Sequence, residues 1–153
     1  MLREEAILQL LDKYRGWYIV SDIGKMAREL WKHRQEGVFI LQGAMGHSLS
    51  VSLGLALSCP SKKFLCLIGD GALLMKLGSL ATVFDKKPNN LHIIVLNNSC
   101  HDSTGGQPTS FDAIRHWLPI KIIDIEKGLK EDSPRPNISC AEITKRFRKS
   151  IAL

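Results

Sequence analysis

The sequence predicts a three-layer α/β/α fold, in which helices cover both faces of a mostly parallel β-sheet. Continuous apolar runs, such as "FLCLI" at 64 to 68 and "IIVL" at 93 to 96, suit strands that are buried on both faces. Segments with helical periodicity separate these runs, and such alternation is typical of parallel sheets. Since 44% of the 153 residues are hydrophobic, we expect residues 1 to 153 to form a single domain with a real core.

The first half of the chain is predicted to alternate helices with strands. Residues 3 to 14 have their apolar side chains on one side of a helix, and "WYIVS" at 17 to 21 follows as a short strand. A helix from Gly24, "GKMARELWKHRQ", leads to a second strand at 37 to 42. Small and apolar residues at helical spacing then predict a helix at 46 to 59.

The second half continues this alternation and adds a long polar loop. Residues 97 to 118 are rich in glycine and polar residues, which predicts a loop with one short helix. The other predicted elements are strands at 62 to 69, 91 to 96 and 120 to 125, helices at 72 to 84 and 140 to 152, and a linker at 131 to 139.

Composition argues against several classes of protein. The four cysteines contain no C-x-x-C pair, so neither a zinc site nor a disulfide framework is indicated. The formal charge of +6 is spread along the chain, and its one dense basic run, at 145 to 149, is expected to be a solvated helix face. Because the apolar runs are too short for a membrane span and the N-terminus lacks a signal-peptide core, we expect a cytoplasmic protein that binds neither nucleic acid nor membrane.

Three polar or glycine-rich segments follow predicted strands: "GAMGHS", "GDGA" and "NNSCHDSTGGQ". In an open parallel sheet, ligands bind at the carboxyl ends of the strands. Asp70 and the pair Asn97-Asn98 offer oxygen donors that suit magnesium or calcium, and magnesium usually comes with phosphate oxygens. Gly71 would let a helix N-terminus approach such phosphates. The residues therefore predict a metal-bridged diphosphate, and the absence of a Walker or dinucleotide motif disfavours ATP and NAD.

Gly69-Asp70-Gly71, followed twenty-five residues later by Asn97-Asn98, resembles the thiamine-diphosphate motif. Together with "GAMGH" and "STGGQPT", the chain from about Ile19 onward is similar to the diphosphate-binding half of the thiamine-diphosphate-dependent 2-oxo acid decarboxylases. It looks most like the phosphonopyruvate and sulfopyruvate decarboxylases of that family. The resemblance implies a thiamine-diphosphate-binding fold, the cofactors thiamine diphosphate and Mg²⁺, and a small 2-oxo acid substrate.

The same resemblance implies a role for individual residues around the metal and the diphosphate. Asp70 and Asn98 would bind Mg²⁺ through their side chains, and Cys100 would bind it through its main-chain carbonyl. The cofactor-binding residues at the glycine motif would be Gly69, Asp70, Gly71, Ala72 and Leu73, the last three facing the diphosphate.

The resemblance also implies contacts with the rest of the cofactor. Gly43 would offer its carbonyl to the 4'-amino group, and Met45 would lie beneath the thiazolium. His47 and His101 are candidate catalytic residues, which would contact an anionic substrate or transfer protons because histidine can carry charge near neutral pH. A structural role is an equal alternative for each histidine. Ser103 and Thr104 would bind a phosphonate or the cofactor, or else cap a turn.

In the family, a separate pyrimidine-binding domain supplies the glutamate that activates the cofactor. We expect that domain to be absent from this chain, and therefore predict a heteromer with an alpha-type subunit. Asp22 departs from the family's small hydroxyl residues, and an acid facing the phosphates there would repel them. The segment from Gln107 to Ile120 is also shorter than in full-length relatives.

The expected reaction is decarboxylation of phosphonopyruvate to phosphonoacetaldehyde and CO2, with the chemistry carried by the cofactor. Two alternatives are a sulfopyruvate decarboxylase beta subunit and a noncatalytic subunit that retains the fold. A magnesium-dependent phosphatase is disfavoured, because one acid and two amides provide little negative charge and no evident nucleophile.

Overall fold

A computed structural model describes residues 1–128 and 134–152, which are organised around a parallel β-sheet. The strands are β1 (Tyr18–Ser21), β2 (Val38–Ile40), β3 (Phe64–Gly69), β4 (Leu91–Asn97), β5 (Cys100–His101), β6 (Gln107–Pro108) and β7 (Lys121–Asp124). Five of them form the sheet, in the spatial order β2-β1-β3-β4-β7, and every neighbouring pair is parallel. Side chains from Phe64 to Ile68 in the central strand are buried, as the continuous apolar run predicts.

Helices cover both faces of this sheet, so the predicted three-layer class is confirmed. The first two helices pack on one face, the next three pack on the other, and the last lies beside the β2 edge, where Ile143 joins one core and Phe147 the other. The helices are α1 (Arg3–Lys13), α2 (Lys25–His33), α3 (Ser48–Ser58), α4 (Asp70–Met75), α5 (Ser79–Lys86) and α6 (Cys140–Ile151). None of the described helices is long and apolar enough to cross a membrane.

The prediction of one helix at 72 to 84 is wrong, because the chain forms α4 and α5 with a break between them. Backbone N–H groups at Lys76, Ser79 and Leu80 bond to carbonyls three residues earlier, which tightens the chain into 3-10 turns. Gly78 lies in this break, and glycine is a poor helix former. α4 begins directly after β3, and the break allows α5 to change direction and pack Leu80 and Val83 into the core.

The loop at 97 to 118 is more ordered than the sequence predicts. It contains the short antiparallel pair β5–β6 and three 3-10 turns, at Asp102–Thr104, Phe111–Ala113 and Arg115–Trp117. The fully buried Phe111 ties the second of these turns to the core. Of the predicted linker, residues 131 to 133 lie outside the described residues, and 134 to 139 are irregular.

Candidate cofactor site

A cleft of about 180 Å³ lies at the carboxyl ends of the central strands. The start of α2 borders it on one side, and residues 69 to 72 and the loop after β4 border it on the other. Gly69 pairs with Leu96 across β3 and β4, so Asp70 and Asn98 emerge from adjacent strands at the same edge. Both side chains line the cleft, together with Met45, Cys100 and His101. Parallel strand order thus brings together the two motifs that the sequence singles out.

Asp70 is almost fully buried, with 2% of its surface exposed. One carboxylate oxygen accepts a hydrogen bond from the Thr109 hydroxyl. Burial raises the pKa of this carboxyl group, although the Thr109 bond and the nearby backbone N–H groups of Gly71 and Asn98 oppose that rise. Burial therefore disfavours the charged form of Asp70, and a cation in the cleft would stabilise it.

The two asparagines at the end of β4 point to different surroundings. The Asn97 amide nitrogen donates to Asp124 at 2.9 Å and to Asp112 at 3.3 Å, and its oxygen accepts from Ser99. These bonds connect Asn97 to β7 and to the 3-10 turn Phe111–Ala113, and Asn97 lies outside the cleft lining. Asn98 is the asparagine of the pair that lines the cleft.

Asn98 belongs to a hydrogen-bonded group centred on Asp102. Its amide nitrogen donates to Asp102 Oδ2 at 2.7 Å, and the Cys100 thiol donates to Asp102 Oδ1 at 3.0 Å. Burial, together with the Asp102 carboxylate, raises the pKa of the Cys100 thiol to about 11. The thiol therefore stays protonated near neutral pH and is a poor nucleophile and a poor metal ligand.

Gly71 allows the His101 ring to lie directly against the start of α4. A β-carbon at position 71 would lie 2.5 Å from Cε1 and 2.8 Å from Nδ1 of His101, which is closer than real side chains approach. The lack of a side chain at Gly71 is expected from the sequence to leave room for a diphosphate. In the structure, a protein side chain occupies that space, so His101 and the glycine motif form one wall of the cleft.

The loop that carries Met45 is held by Asp22, which is fully buried. The Asp22 carboxylate accepts hydrogen bonds from the backbone N–H of Gly46 at 3.0 Å and from the Ser48 hydroxyl at 2.8 Å. The Ser48 N–H, at the first turn of α3, also donates to it at 3.4 Å. Asp22 is therefore not a free acid that would repel the phosphates, because its charge caps α3 from the position directly after β1.

Three of the predicted site residues lie away from the cleft lining. Gly43 and His47 are exposed on the loop between β2 and α3, where the His47 ring bonds to the Met45 carbonyl at 3.2 Å. The Leu73 side chain is fully buried in the core, so this residue has only its backbone to offer a ligand. Their predicted roles remain predictions.

Sequence reasoning missed several residues of the site. Arg3 and Lys25 line the cleft from the starts of α1 and α2, and Asp102 joins the loop to Arg3. Thr109 lies within the quoted "STGGQPT" stretch, but its bond to Asp70 spans 39 positions. No local pattern identifies Arg3, because its acidic partners lie 26 and 99 positions away.

Comparison with known proteins agrees with this arrangement. Residues 22–137 match the family model of the thiamine pyrophosphate enzyme, C-terminal TPP binding domain. The chain belongs to this family. The TPP-binding domain accounts for the parallel sheet and for the cleft at its carboxyl edge, and the resemblance to the thiamine-diphosphate-dependent decarboxylases is confirmed.

Individual relatives of this TPP-binding domain are decarboxylases of two kinds. The chain is 46% identical over 97 residues to a phosphonopyruvate decarboxylase of Streptomyces viridochromogenes, covering 63% of the chain and 24% of that relative. It is 38% identical over 113 residues to the sulfopyruvate decarboxylase subunit beta of Methanothermobacter thermautotrophicus, covering 73% of the chain and 60% of the subunit. The chain thus spans less than two thirds of the length of either relative.

Proposed function

We propose that this chain is the diphosphate-binding subunit of a thiamine-diphosphate-dependent decarboxylase that converts phosphonopyruvate to phosphonoacetaldehyde and CO2. The observation that carries the proposal is the cleft in which Asp70 and Asn98 lie side by side at the ends of adjacent strands. The 46% identity to a phosphonopyruvate decarboxylase over 97 residues supports the choice of substrate.

The residues of the cleft suit Mg²⁺. Among the described residues, no three His, Cys, Asp or Glu side chains are grouped as a metal site, so a cation here would rely on amide and carbonyl oxygens beside one carboxylate. Asp70, Asn98 and the Cys100 carbonyl would form such an oxygen set. The Thr109 hydroxyl that donates to the buried Asp70 carboxylate is neutral, so it does not balance the negative charge, whereas a metal ion would.

Thiamine diphosphate would reach this ion through its diphosphate, with the backbone of Gly71 and Ala72 nearby. The bound cofactor would supply the electron sink for loss of CO2. Met45 would support its ring system from the cleft wall, and the Gly43 carbonyl would accept a hydrogen bond from its amino group. His101, which lies against Gly71, would contact the anionic substrate or hold a proton for it, and His47 is the second candidate for that role.

We also propose that a second, alpha-type chain completes the site. A cleft of about 180 Å³ is smaller than the roughly 300–1,000 Å³ that encloses a whole ligand of drug size, so it suits one part of the cofactor. Met75, which adjoins Gly46 beside the Met45 loop, is 58% exposed and offers apolar surface for another chain. Several relatives are themselves named subunit beta.

The same architecture supports a second candidate function, that of a sulfopyruvate decarboxylase beta subunit. The chain covers 60% of one such subunit but only 24% of the phosphonopyruvate decarboxylase. A third reading, a noncatalytic subunit, would keep the fold without turnover. These three functions differ in substrate and activity rather than in fold, so an assay must separate them.

The test is to purify the chain with a co-expressed alpha-type subunit and to measure aldehyde release from phosphonopyruvate and sulfopyruvate. We expect faster release from phosphonopyruvate, dependence on Mg²⁺ and thiamine diphosphate, and loss of turnover in Asp70→Ala. Faster release from sulfopyruvate would establish the second candidate instead. If calorimetry detects no cofactor binding and Asp70→Ala retains the activity of the complex, the catalytic proposal is wrong. Asp85→Ala, on the exposed face of α5, is the matched control.

A further inference from the structure

We propose that Asp102 is a positioning residue, which orients the Asn98 amide so that its oxygen rather than its nitrogen is available to a metal ion in the cleft. This inference rests on the proposed metal site. An amide group has a donor end and an acceptor end, and only the oxygen end can bind Mg²⁺. Something must therefore hold the nitrogen end away from the cleft.

The contacts of Asn98 fix which end faces which way. Its nitrogen donates to Asp102 Oδ2 at 2.7 Å, and an ionised carboxylate can only accept hydrogen bonds. Its oxygen accepts one hydrogen bond, from the Cys100 N–H at 3.2 Å. An amide oxygen has two lone pairs, so one remains for a cation.

Asp102 is itself held by an ion pair that joins three elements. Arg3 Nη1 contacts Asp102 Oδ2 at 3.3 Å, while the other side of the guanidinium forms a two-point contact with Glu29 at 2.7 and 2.9 Å. The three side chains are only 8–13% exposed. The ion pair therefore anchors Asp102 to α1 and α2, in addition to the bonds that Asp102 accepts within its own loop.

The neighbouring Asn97 shows what a structural asparagine looks like in this loop. Its nitrogen also faces carboxylates, those of Asp112 and Asp124, and its oxygen accepts from the Ser99 N–H at 3.2 Å, while the Ser99 hydroxyl donates its one proton to Asp112 at 2.8 Å. These bonds connect Asn97 to β7 and to the 3-10 turn Phe111–Ala113, outside the cleft lining. Asn98 differs because it lines the cleft, and Asp102 is the group that fixes the orientation of its amide.

Asp102→Asn tests this role, because an asparagine at that position can donate as well as accept and no longer selects one amide orientation. The measurement is Mn²⁺ binding to the full chain in complex with the co-expressed alpha-type subunit and in the presence of thiamine diphosphate, followed by electron paramagnetic resonance of free Mn²⁺. Mn²⁺ accepts the same oxygen ligands as Mg²⁺. We expect Mn²⁺ affinity to fall about 10- to 100-fold, the usual effect of losing a group that orients a metal ligand, with unchanged stoichiometry at saturation.

Asp112→Asn is the matched control, since Asp112 accepts from the other asparagine of the pair. It should leave Mn²⁺ affinity unchanged. If circular dichroism shows that Asp102→Asn does not fold, Arg3→Gln replaces it and should weaken Mn²⁺ binding severalfold by releasing Asp102. Wild-type Mn²⁺ affinity in the folded variant would overturn the positioning role alone. A complex of the unmodified chain with the alpha-type subunit that binds no Mn²⁺ would overturn the metal site, and with it this inference.

Discussion

Asp70→Asn should make the cofactor-free chain more stable while abolishing its response to Mg²⁺ and thiamine diphosphate. The side chain is 2% exposed, and burial raises the pKa of its carboxyl group despite the hydrogen bond from Thr109. The charged carboxylate is therefore destabilising near neutral pH. A neutral amide of the same shape avoids that cost, and its oxygen can still accept from the Thr109 hydroxyl. Its NH2 end no longer accepts from a neighbouring backbone N–H, and we expect the relief of the buried charge to exceed that loss.

The expected gain is about 1 kcal/mol, which is the usual size for relieving strain in a binding site. For a chain of this length it corresponds to a Tm higher by about 2–4 °C. A ligand at one hundred times its Kd adds about 2.7 kcal/mol to the stability of the unmodified chain. Its Tm should then rise by about 5–11 °C with Mg²⁺ and thiamine diphosphate, whereas that of Asp70→Asn should hardly move.

The sign of the pH dependence follows from the same pKa. The folded chain holds the Asp70 proton more tightly than the unfolded chain, so this group loses its stabilising contribution as pH rises from the ordinary carboxyl pKa through the raised one. The advantage of Asp70→Asn should grow over that window and stay constant above it.

Thermal melts by differential scanning fluorimetry, with and without both ligands and from pH 4 to 8, would test the reasoning. Asp85→Asn is the control, because Asp85 is exposed and pairs with Lys86 on the surface. A lower Tm for ligand-free Asp70→Asn at pH 7 would refute the argument that burial dominates at this site. A full ligand response in that variant would refute the metal assignment.

Three further outcomes are expected. Gly71→Ala should lower the free energy of unfolding in urea by about 1–3 kcal/mol, because the new β-carbon overlaps the His101 ring. Gly54→Ala, at a helix position with open space, should raise that free energy by about 1 kcal/mol, and equal effects of the two substitutions would contradict the overlap. Asp22→Ala should cost about 3 kcal/mol by leaving buried N–H and hydroxyl donors unpaired, and an unchanged urea midpoint would count against that role. In thiol titrations at pH 8, the exposed Cys140 should react within minutes. Burial raises the pKa of Cys66 to about 12, so this thiol should react only when the protein unfolds, and early labelling of Cys66 would contradict its burial.

Much of the fold follows from local patterns. The buried strands were predictable, because a short and continuously apolar run such as "FLCLI" is typical of a strand that is covered on both faces of a parallel sheet. The break between α4 and α5 was not, since the residues around it have helical periodicity. The start of that break packs closely against the loop before α3: a β-carbon at Gly46 would lie 3.0 Å from Cγ of Lys76, a contact between segments that are distant along the chain.

Some residues of the cleft were likewise predictable from local motifs, whereas others depend on partners that are distant along the chain. Asp70 and Asn98 were predictable, because strand order alone places the ends of β3 and β4 side by side. Asp22 was misread, because its hydrogen-bond partners lie 24 and 26 positions away and give no local signal. Arg3 was missed for the same reason.

By itself, the sequence determined the parallel sheet, the family, and the motifs that end its strands, since each depends on residue type and short spacing. Only the tertiary structure decided which groups surround those motifs. The role of Asp22 as a cap for α3, the contact of His101 with Gly71, and the path from Arg3 through Asp102 to Asn98 all depend on side chains that meet across the fold. Hydrogen bonds and close packing depend on distance in space, and spacing along the chain does not encode it.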